Sequence, residues 1–362
     1  MIKWFEPDVG RKDLHLVKKC ILDNYINDGN IVTEFEIKCK NLLDVKHAST
    51  TTSGTIAIYI ALKVLNINKN HEVLLPNLSY IAAANAVSMT GAKPIFVETE
   101  KKSLLIDVSK LKKYLSKKTK VIIPVHVSGR GNNIIEIKKF AKKNKLFIIE
   151  DAAEAFYSKF KNKFLGTYGD IGCFSFSPNK IITTGQGGLL VTNNKKYFNL
   201  IKMFKNQGRF GTGTGGDDNH IIRGSNLRLT NLQAAIGISQ LKELNKRAKR
   251  LKDHYLFYKK KLSKNKNITF FEFRSEELPL WTDVYYKKRN KLIEYLNKKK
   301  IDCRKFWLPM NDQKTYISTQ KKSIKDSFFT KLFWLPSSFN LDNTQKKYIC
   351  EMINKFTNKY EK

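Results

Sequence analysis

Cysteine, histidine and arginine are scarce in this 362-residue chain, and each scarcity removes a class of function. The five cysteines, Cys20, Cys39, Cys173, Cys303 and Cys350, are scattered, odd in number and form no C-x-x-C pair. That spacing excludes a disulfide framework and a zinc site of the usual pattern. The six histidines form no H-x-x-x-H pair, so no metal is expected. Long apolar runs are missing too: residues 55–62 (TIAIYIAL) make the longest, far too short to span a bilayer. The opening residues, MIKWFEPDVGRKDLHL, lack the apolar core of a signal peptide. A soluble, cytoplasmic protein without a membrane partner is expected.

Only 10 of the 67 basic residues are arginine, against 57 lysines. The net charge of +35 would suit a nucleic-acid partner, because basic surfaces release counterions from phosphates. Readout of bases and phosphates favours the forked guanidinium, however, and here the charge is mostly lysine spread along the whole chain. Abundant Asn, Ile and Lys give the charge a compositional origin, the pattern of an AT-rich coding sequence. No nucleic-acid partner is expected, although a basic surface attracts anionic small substrates.

What is present is the make-up of a globular protein, 41% hydrophobic and 12% aromatic, without linkers, low-complexity tracts or repeats. The length accommodates one large domain and a smaller one. From residue 51 to about 192, apolar β-branched runs alternate with helical patterns. Strands are predicted over 72–75, 94–98, 121–127, 146–150, 172–176 and 188–192. Helices are predicted over 55–65, 81–89, 108–115 and 135–144. Strands apolar throughout and joined by helices predict a three-layer α/β/α domain around a mostly parallel sheet. A long helix over 230–262 is read as the way out of this domain. Beyond it, a helix over 285–299, a strand over 302–306 and a terminal helix over 343–358 predict a smaller α+β unit. The expected division is 1–245, including the N-terminal segment, and 246–362.

Ligands of such sheets sit beyond the carboxyl ends of the strands. Asp151, His126 and the turn from Ser175 to Lys180 all fall there. Asp151 closes Phe147-Ile148-Ile149-Glu150-Asp151 and precedes two alanines, where a flat ring can lie against the backbone. Lys180 follows the strand Cys173-Phe174-Ser175-Phe176 and leads into a Gly-rich segment. A cofactor with an aldehyde and a basic ring nitrogen needs this pair, an amine to hold the one and a carboxylate to protonate the other. Pyridoxal phosphate is the cofactor inferred. Each residue has a plainer reading: Lys180 as a solvated surface amine, Asp151 as a helix N-cap. Thr51-Thr52-Ser53-Gly54-Thr55 opens a helix and suits either a phosphate or an ordinary cap. Tyr80, at another strand-to-helix turn, either stacks on a ring or packs at the surface. The glycine run over 208–216 follows a helix and leads into none, so it is read as a mobile loop and not a dinucleotide fingerprint.

The order of these signals resembles the DegT/DnrJ/StrS family of pyridoxal-phosphate-dependent nucleotide-sugar aminotransferases, of the aspartate-aminotransferase type I fold. The resemblance runs from about Gly29 to Leu241. It rests on Gly29…Glu34-Phe35-Glu36, Ser53-Gly54-Thr55, Glu150-Asp151-Ala152-Ala153-Glu154-Ala155, Gly166-Thr167-Tyr168-Gly169-Asp170, Phe174-Ser175-Phe176…Lys180 and Gly187-Gly188. It continues through Gly224-Ser225-Asn226-Leu227-Arg228-Leu229 and Gln233-Ala234-Ala235-Ile236-Gly237, and more weakly at Arg304…Trp307-Leu308-Pro309. The resemblance implies that Lys180 forms the Schiff base and shuttles a proton, that Asp151 pairs with the pyridinium, and that Tyr80 stacks on the ring. It implies that Ser53, Gly54, Thr55 and Ser175 hold the phosphate and that Glu154 sits near the ring hydroxyl. It also implies that Asn226 reaches the phosphate from the other subunit of a homodimer.

The segment His126-Val127-Ser128-Gly129-Arg130 departs from the family's commoner His-Leu-Tyr-Gly, Pro309-Met310-Asn311 from Pro-Leu-His, and Glu98 stands for a usual Asp. The implied reaction moves an amino group from L-glutamate to a nucleotide-linked 4-keto-6-deoxy sugar, as in GDP-perosamine synthesis, for surface polysaccharide. Two alternatives stand beside it. One is a sugar dehydratase of the same fold, which typically carries His at the lysine position. The other is a non-catalytic binding or regulatory protein using the basic surface.

Overall fold

Five-residue strands buried along their length have no solvent face to offer, so they fold only inside a sheet covered on both sides. The computed structural model describes residues 1–131, 133–210, 218–316 and 327–360 and builds that sheet from seven strands. In chain order the first strands are β1 (His47–Thr51), β2 (Glu72–Pro76), β3 (Lys93–Val97), β4 (Thr119–Ile122) and β5 (Phe147–Asp151). A small hairpin, β6 (Lys159–Phe160) and β7 (Lys163–Phe164), precedes β8 (Ile171–Ser175) and β9 (Gly188–Thr192). The large sheet has the order β1-β9-β8-β5-β4-β2-β3, and β9 alone runs against the other six.

The helices around the large sheet are α1 (Leu14–Leu22), α2 (Asn30–Leu43), α3 (Gly54–Val64), α4 (Ala82–Met89), α5 (Leu111–Tyr114), α6 (Ile134–Asn144), α7 (Lys195–Lys205) and α8 (Asn231–Lys242). One layer, with α3 and α4, buries Ile58, Leu62, Val73, Ala84 and Phe96. The other face buries Phe35, Phe174, Phe176, Leu189 and Ile238 against α2 and α8. A three-layer α/β/α arrangement results.

The chain then runs through α9 (Leu244–Lys261) into a second, antiparallel sheet of β10 (Thr269–Phe270), β11 (Thr282–Tyr285), β12 (Arg304–Lys305) and β13 (Leu332–Leu335). The helices α10 (Arg289–Lys298) and α11 (Asn343–Tyr360) close its core around Tyr258, Tyr286, Phe333 and Ile353. The first residues of the chain lie against this smaller unit: Ile2 bridges Ile301, and Trp4 O accepts from Ser337 N at 2.7 Å. Among the described residues no helix is long and apolar enough to cross a membrane.

Several expected elements differ in extent. The strand over 121–127 stops at Ile122, because Pro124 has no N–H for the ladder; one bridge, Val125 to Asp151, continues the pairing. β1 was not predicted, since His-Ala-Ser-Thr-Thr reads as polar. Its hydroxyls are satisfied internally, Thr50 Oγ1 by Glu36 at 2.8 Å and Thr51 Oγ1 by Leu227 O at 2.7 Å. The helix over 230–262 is two helices broken at Glu243, where α8 leaves α1 and α2 and α9 turns toward α11. No glycine or proline marks that break, so packing sets it. The helix over 108–115 is a 3-10 turn, Val108–Lys110, followed by the short α5. Tyr285 belongs to β11, and the helix expected from it begins at Arg289.

Gly172 in β8 is required by a close approach: a Cβ there would lie 1.8 Å from the carbonyl oxygen of Gly166. Gly166 itself has φ +87 and donates its N–H to Glu150 at 2.9 Å. Gly172→Ala is therefore expected to destabilise the fold by about 3 kcal/mol through overpacking. Denaturant unfolding measures this; a loss under about 1 kcal/mol would mean that the 166–169 turn moves away freely.

Candidate active site

The carboxyl ends of β5 and β8 lie side by side, with Asp151 in register with Cys173. The N-terminus of α3 approaches the same point, because Gly54 packs on Ser175 so closely that a Cβ would meet Ser175 Cβ at 2.8 Å. After Ser175 the chain turns through Ser177-Pro178-Asn179, and the turn closes when Lys180 N donates to Ser177 O at 3.1 Å. These three ends enclose a cavity of about 320 Å³. Ser53, Gly54, Thr55, Tyr80, Asp151, Glu154, Ser175 and Lys180, all expected at the site, line it.

Lys180 is 9% exposed, and burial lowers the pKa of its amine. The nearest carboxylate oxygen is Glu154 Oε1, 3.7 Å from Nζ. Glu154 is pushed up to about 7, chiefly by burial and partly by Asp151 and Asp283, while Lys180 and the Ser128 N–H pull it down. Asp151 is also raised by burial. Its side chain accepts a hydrogen bond from Ala153 N at 3.1 Å, and among the described residues no cation lies within ion-pair distance of it. A buried carboxylate left in that state fits a ligand with a protonated ring nitrogen.

Behind these groups, Glu150 is wholly buried and heavily bonded. It accepts from Gly166 N (2.9 Å), Tyr168 N (2.5 Å) and Gly169 N (2.6 Å) and pairs with His126 Nε2 at 2.8 Å. Burial alone would raise its pKa, but His126 and the amides outweigh it and hold the group below the usual range. Glu150 thus fixes the turn behind the site and leaves the chemistry to its neighbour Asp151.

The α3 end suits a phosphate. Ser53 caps the helix, accepting from Ile56 N at 3.3 Å, and leaves the first amides and the Thr55 hydroxyl at an eleven-residue helix start. Ser175 Oγ, 3.3 Å from Ser177 Oγ, stands opposite. The third wall is aromatic and comes from the smaller unit. Trp281 faces Lys180, whose Nζ is 4.9 Å from its ring centre, and Trp307 stands 6.3 Å from Trp281. Trp334 and Trp4 back them at 4.8 and 5.7 Å from Trp281, so all four tryptophans of the chain meet here. Arg304 joins the lining with its guanidinium 4.9 Å from the Trp4 ring.

Asn226 does not reach the cavity of its own chain; it pairs with Asn206 and accepts from Arg228 Nε at 3.0 Å. Glu98 is bound to Lys113 at 2.7 Å, and Asn311 is held by Asn77, so neither lines the cavity. Residues 211–216 of the glycine run lie outside the described residues. Ser177 and Asn179 line the cavity from the turn expected there, whereas Trp281 and Gln186 add residues that the sequence does not mark. Only the recurrence of tryptophan in the weakly patterned C-terminal third could have pointed to the aromatic wall.

The DegT/DnrJ/EryC1/StrS aminotransferase family model matches residues 7–354. The GDP-perosamine synthase of Escherichia coli O157:H7 is 36% identical over 360 residues, covering 97% of each chain. The GDP-perosamine synthase of Vibrio cholerae is 31% identical, covering 99% of this chain and 100% of its own. Among solved structures, Helicobacter pylori PseC, an aminotransferase of pseudoaminic acid biosynthesis, superposes with TM-score 0.93 at 23% identity, over 99% of this chain and 100% of that one. With a buried lysine, a buried carboxylate and a phosphate-ready helix start around one cavity, the chain belongs to the DegT/DnrJ/EryC1/StrS aminotransferase family, whose cofactor is pyridoxal phosphate.

Proposed function

We propose that the protein moves the amino group of L-glutamate to the keto carbon of a GDP-linked 4-keto-6-deoxy sugar, leaving 2-oxoglutarate. The amino sugar formed would feed surface polysaccharide synthesis. The observation that carries the chemistry is the convergence of Lys180 and Asp151 on one cavity. The choice of sugar rests on the two GDP-perosamine synthases, similar along nearly the whole chain.

When bound, pyridoxal phosphate supplies an aldehyde that takes the amino group and a ring that accepts the electron pair left at carbon. Lys180 Nζ would hold that aldehyde, and burial favours the neutral amine this requires. The same Nζ would carry the proton between the donor's α-carbon and the acceptor carbon. Asp151 keeps the ring nitrogen protonated. Ser53, Gly54, Thr55 and Ser175 bind the phosphate. Tyr80 would stack on the ring, and Glu154 would sit near its hydroxyl. Trp281 and Trp307 line the cavity and would shield the reacting carbon from water. Asn226 would complete the phosphate site of a second copy, so the working unit would be a homodimer, acting in the cytoplasm.

The test is the absorption spectrum of the protein loaded with pyridoxal phosphate, before and after L-glutamate. A visible band that bleaches with glutamate and returns with the GDP-linked keto sugar is the expected result. A band indifferent to glutamate would refute the donor. Lys180→Ala is expected to lack the band and to turn over below detection while keeping the oligomeric state of the parent; retained transamination would refute its role. Asp151→Asn should bind the cofactor but lose roughly two to three orders of magnitude in turnover. Unchanged kinetics would mean that a different carboxylate serves the ring.

A further inference from the structure

A buried ion pair whose role the reaction leaves unexplained lies directly behind the site. Arg130, 1% exposed, donates Nη1 to Asp283 Oδ2, and Asp283 is fully buried on β11. The guanidinium also donates to the backbone oxygens of Phe271 (3.3 Å) and Glu272 (3.1 Å) and lies 3.7 Å from the Phe273 ring centre. The other Asp283 oxygen accepts from Trp334 Nε1 at 2.6 Å and from Ser128 Oγ at 2.8 Å. Such pairs contribute little net stability, since desolvation offsets the attraction. Its contacts also reach toward the cavity, through Ser128.

Ser128 is the link. It has φ +53 and ψ 18, a left-handed conformation costing a non-glycine residue on the order of 1 kcal/mol. Held so, its N–H points at Glu154 Oε2, 2.8 Å away, while Glu154 Oε1 remains 3.7 Å from Lys180 Nζ. The chain of contacts therefore runs Arg130, Asp283, Ser128, Glu154, Lys180, from the smaller sheet to the reactive amine.

We propose that Asp283, through the strained Ser128, is a positioning residue that holds Glu154 to take the proton of the Lys180 ammonium. This rests on the reading of Lys180 given above. In the step, an N–H bond of Lys180 breaks and an O–H bond of Glu154 forms, so an ammonium–carboxylate pair becomes a neutral amine and a carboxylic acid. The amine is then free to attack the cofactor aldehyde. The charged groups facing Glu154 are Lys180, Asp151 and Asp283; those facing Lys180 are Glu154, Asp151 and Arg304. Glu154 accepts a proton only while ionised, so the amine is released less readily as pH falls through about 7. Losing the Ser128 clamp weakens the hydrogen bond that stabilises the carboxylate, which raises its proton affinity and moves that limb upward.

The experiment mixes the cofactor-free full-length protein with pyridoxal phosphate across a pH series. Borohydride then traps the adduct, and peptide mass measures the rate at which Lys180 is labelled. The parent should show a limb near pH 7 that Glu154→Gln removes. Ser128→Ala, which keeps its N–H but loses the Oγ anchor on Asp283, should move the limb up, by at most roughly one pH unit, the size of a charge-assisted hydrogen bond lost outright. Asp283→Asn is unsuitable, since it also removes a negative charge that raises Glu154; Ser128→Gly, which loses the same hydroxyl and suits the left-handed backbone, should move the limb the same way and keeps the test open should Ser128→Ala not fold. A Ser128→Ala limb at the parental pH would overturn the proposal, leaving the ion pair a purely structural contact. No labelling of Lys180 in the parent at any pH would instead overturn the aminotransferase reading itself.

Discussion

The site depends on keeping the Lys180 amine out of water between two carboxylates that are themselves buried. An ammonium there is penalised by desolvation and rewarded by Asp151 and Glu154, so its protonation is finely balanced. Neither carboxylate forms a tight pair with it, since Glu154 stays 3.7 Å away. A closer bridge would lock the lysine as a cation. The rest of the molecule serves that spacing. The parallel order of β5 and β8 sets Asp151 beside the turn that carries Lys180, and Gly54 lets α3 approach Ser175 without a Cβ between them.

Holding acidic groups at an apolar sheet end requires backbone donors, and two turns supply them. The 166–169 turn spends three amides on Glu150, whereas the 127–129 turn spends one on Glu154. That difference separates the two residues' functions. Glu150 is over-bonded and remains an anion; Glu154 is under-bonded and can change its charge near neutrality. Adjacent segments of one strand end thus produce a fixed structural charge and a titrating one.

What the sequence makes legible follows from where chemistry constrains residue types locally. Asp151, the 53–55 helix start, Ser175 and Lys180 each sit at a strand end or helix start, where type and position are read together, and they do converge. The seven-strand sheet was legible where strands are apolar and hidden at β1, whose buried hydroxyls look like a loop. The direction of β9 carries no periodic signal, because a strand buried on both faces reads alike in either sense. The aromatic wall was illegible for another reason. Trp4, Trp281, Trp307 and Trp334 lie in segments far apart in the chain and meet only through tertiary packing. The same holds for Asp283, an acidic residue in a strand of aromatic and β-branched neighbours, whose meaning appears only beside Arg130 and Ser128.

The scarcity of arginine takes on a physical meaning in this light. Arg130 bridges Asp283, Arg228 bonds Asp28, Arg247 bonds Asp8 and Gln240, and Arg250 and Arg289 donate to the carbonyls of Phe339 and Leu332. Arg304 lies over Trp4 at the cavity mouth. At Arg130, Arg247 and Arg289 several nitrogens of the fork donate at once, and at Arg304 the flat face lies on a ring, which an ammonium cannot reproduce. Lysine carries most of the remaining charge, and its pairs at the surface are of the exposed, weakly stabilising kind, such as Lys298 with Glu294 and Lys355 with Glu351. Most of the positive charge is lysine, much of it in a solvated shell. For an enzyme whose substrates are anions, that shell still has a consequence: its field raises their local concentration and speeds their encounter with the cavity, an effect that salt weakens.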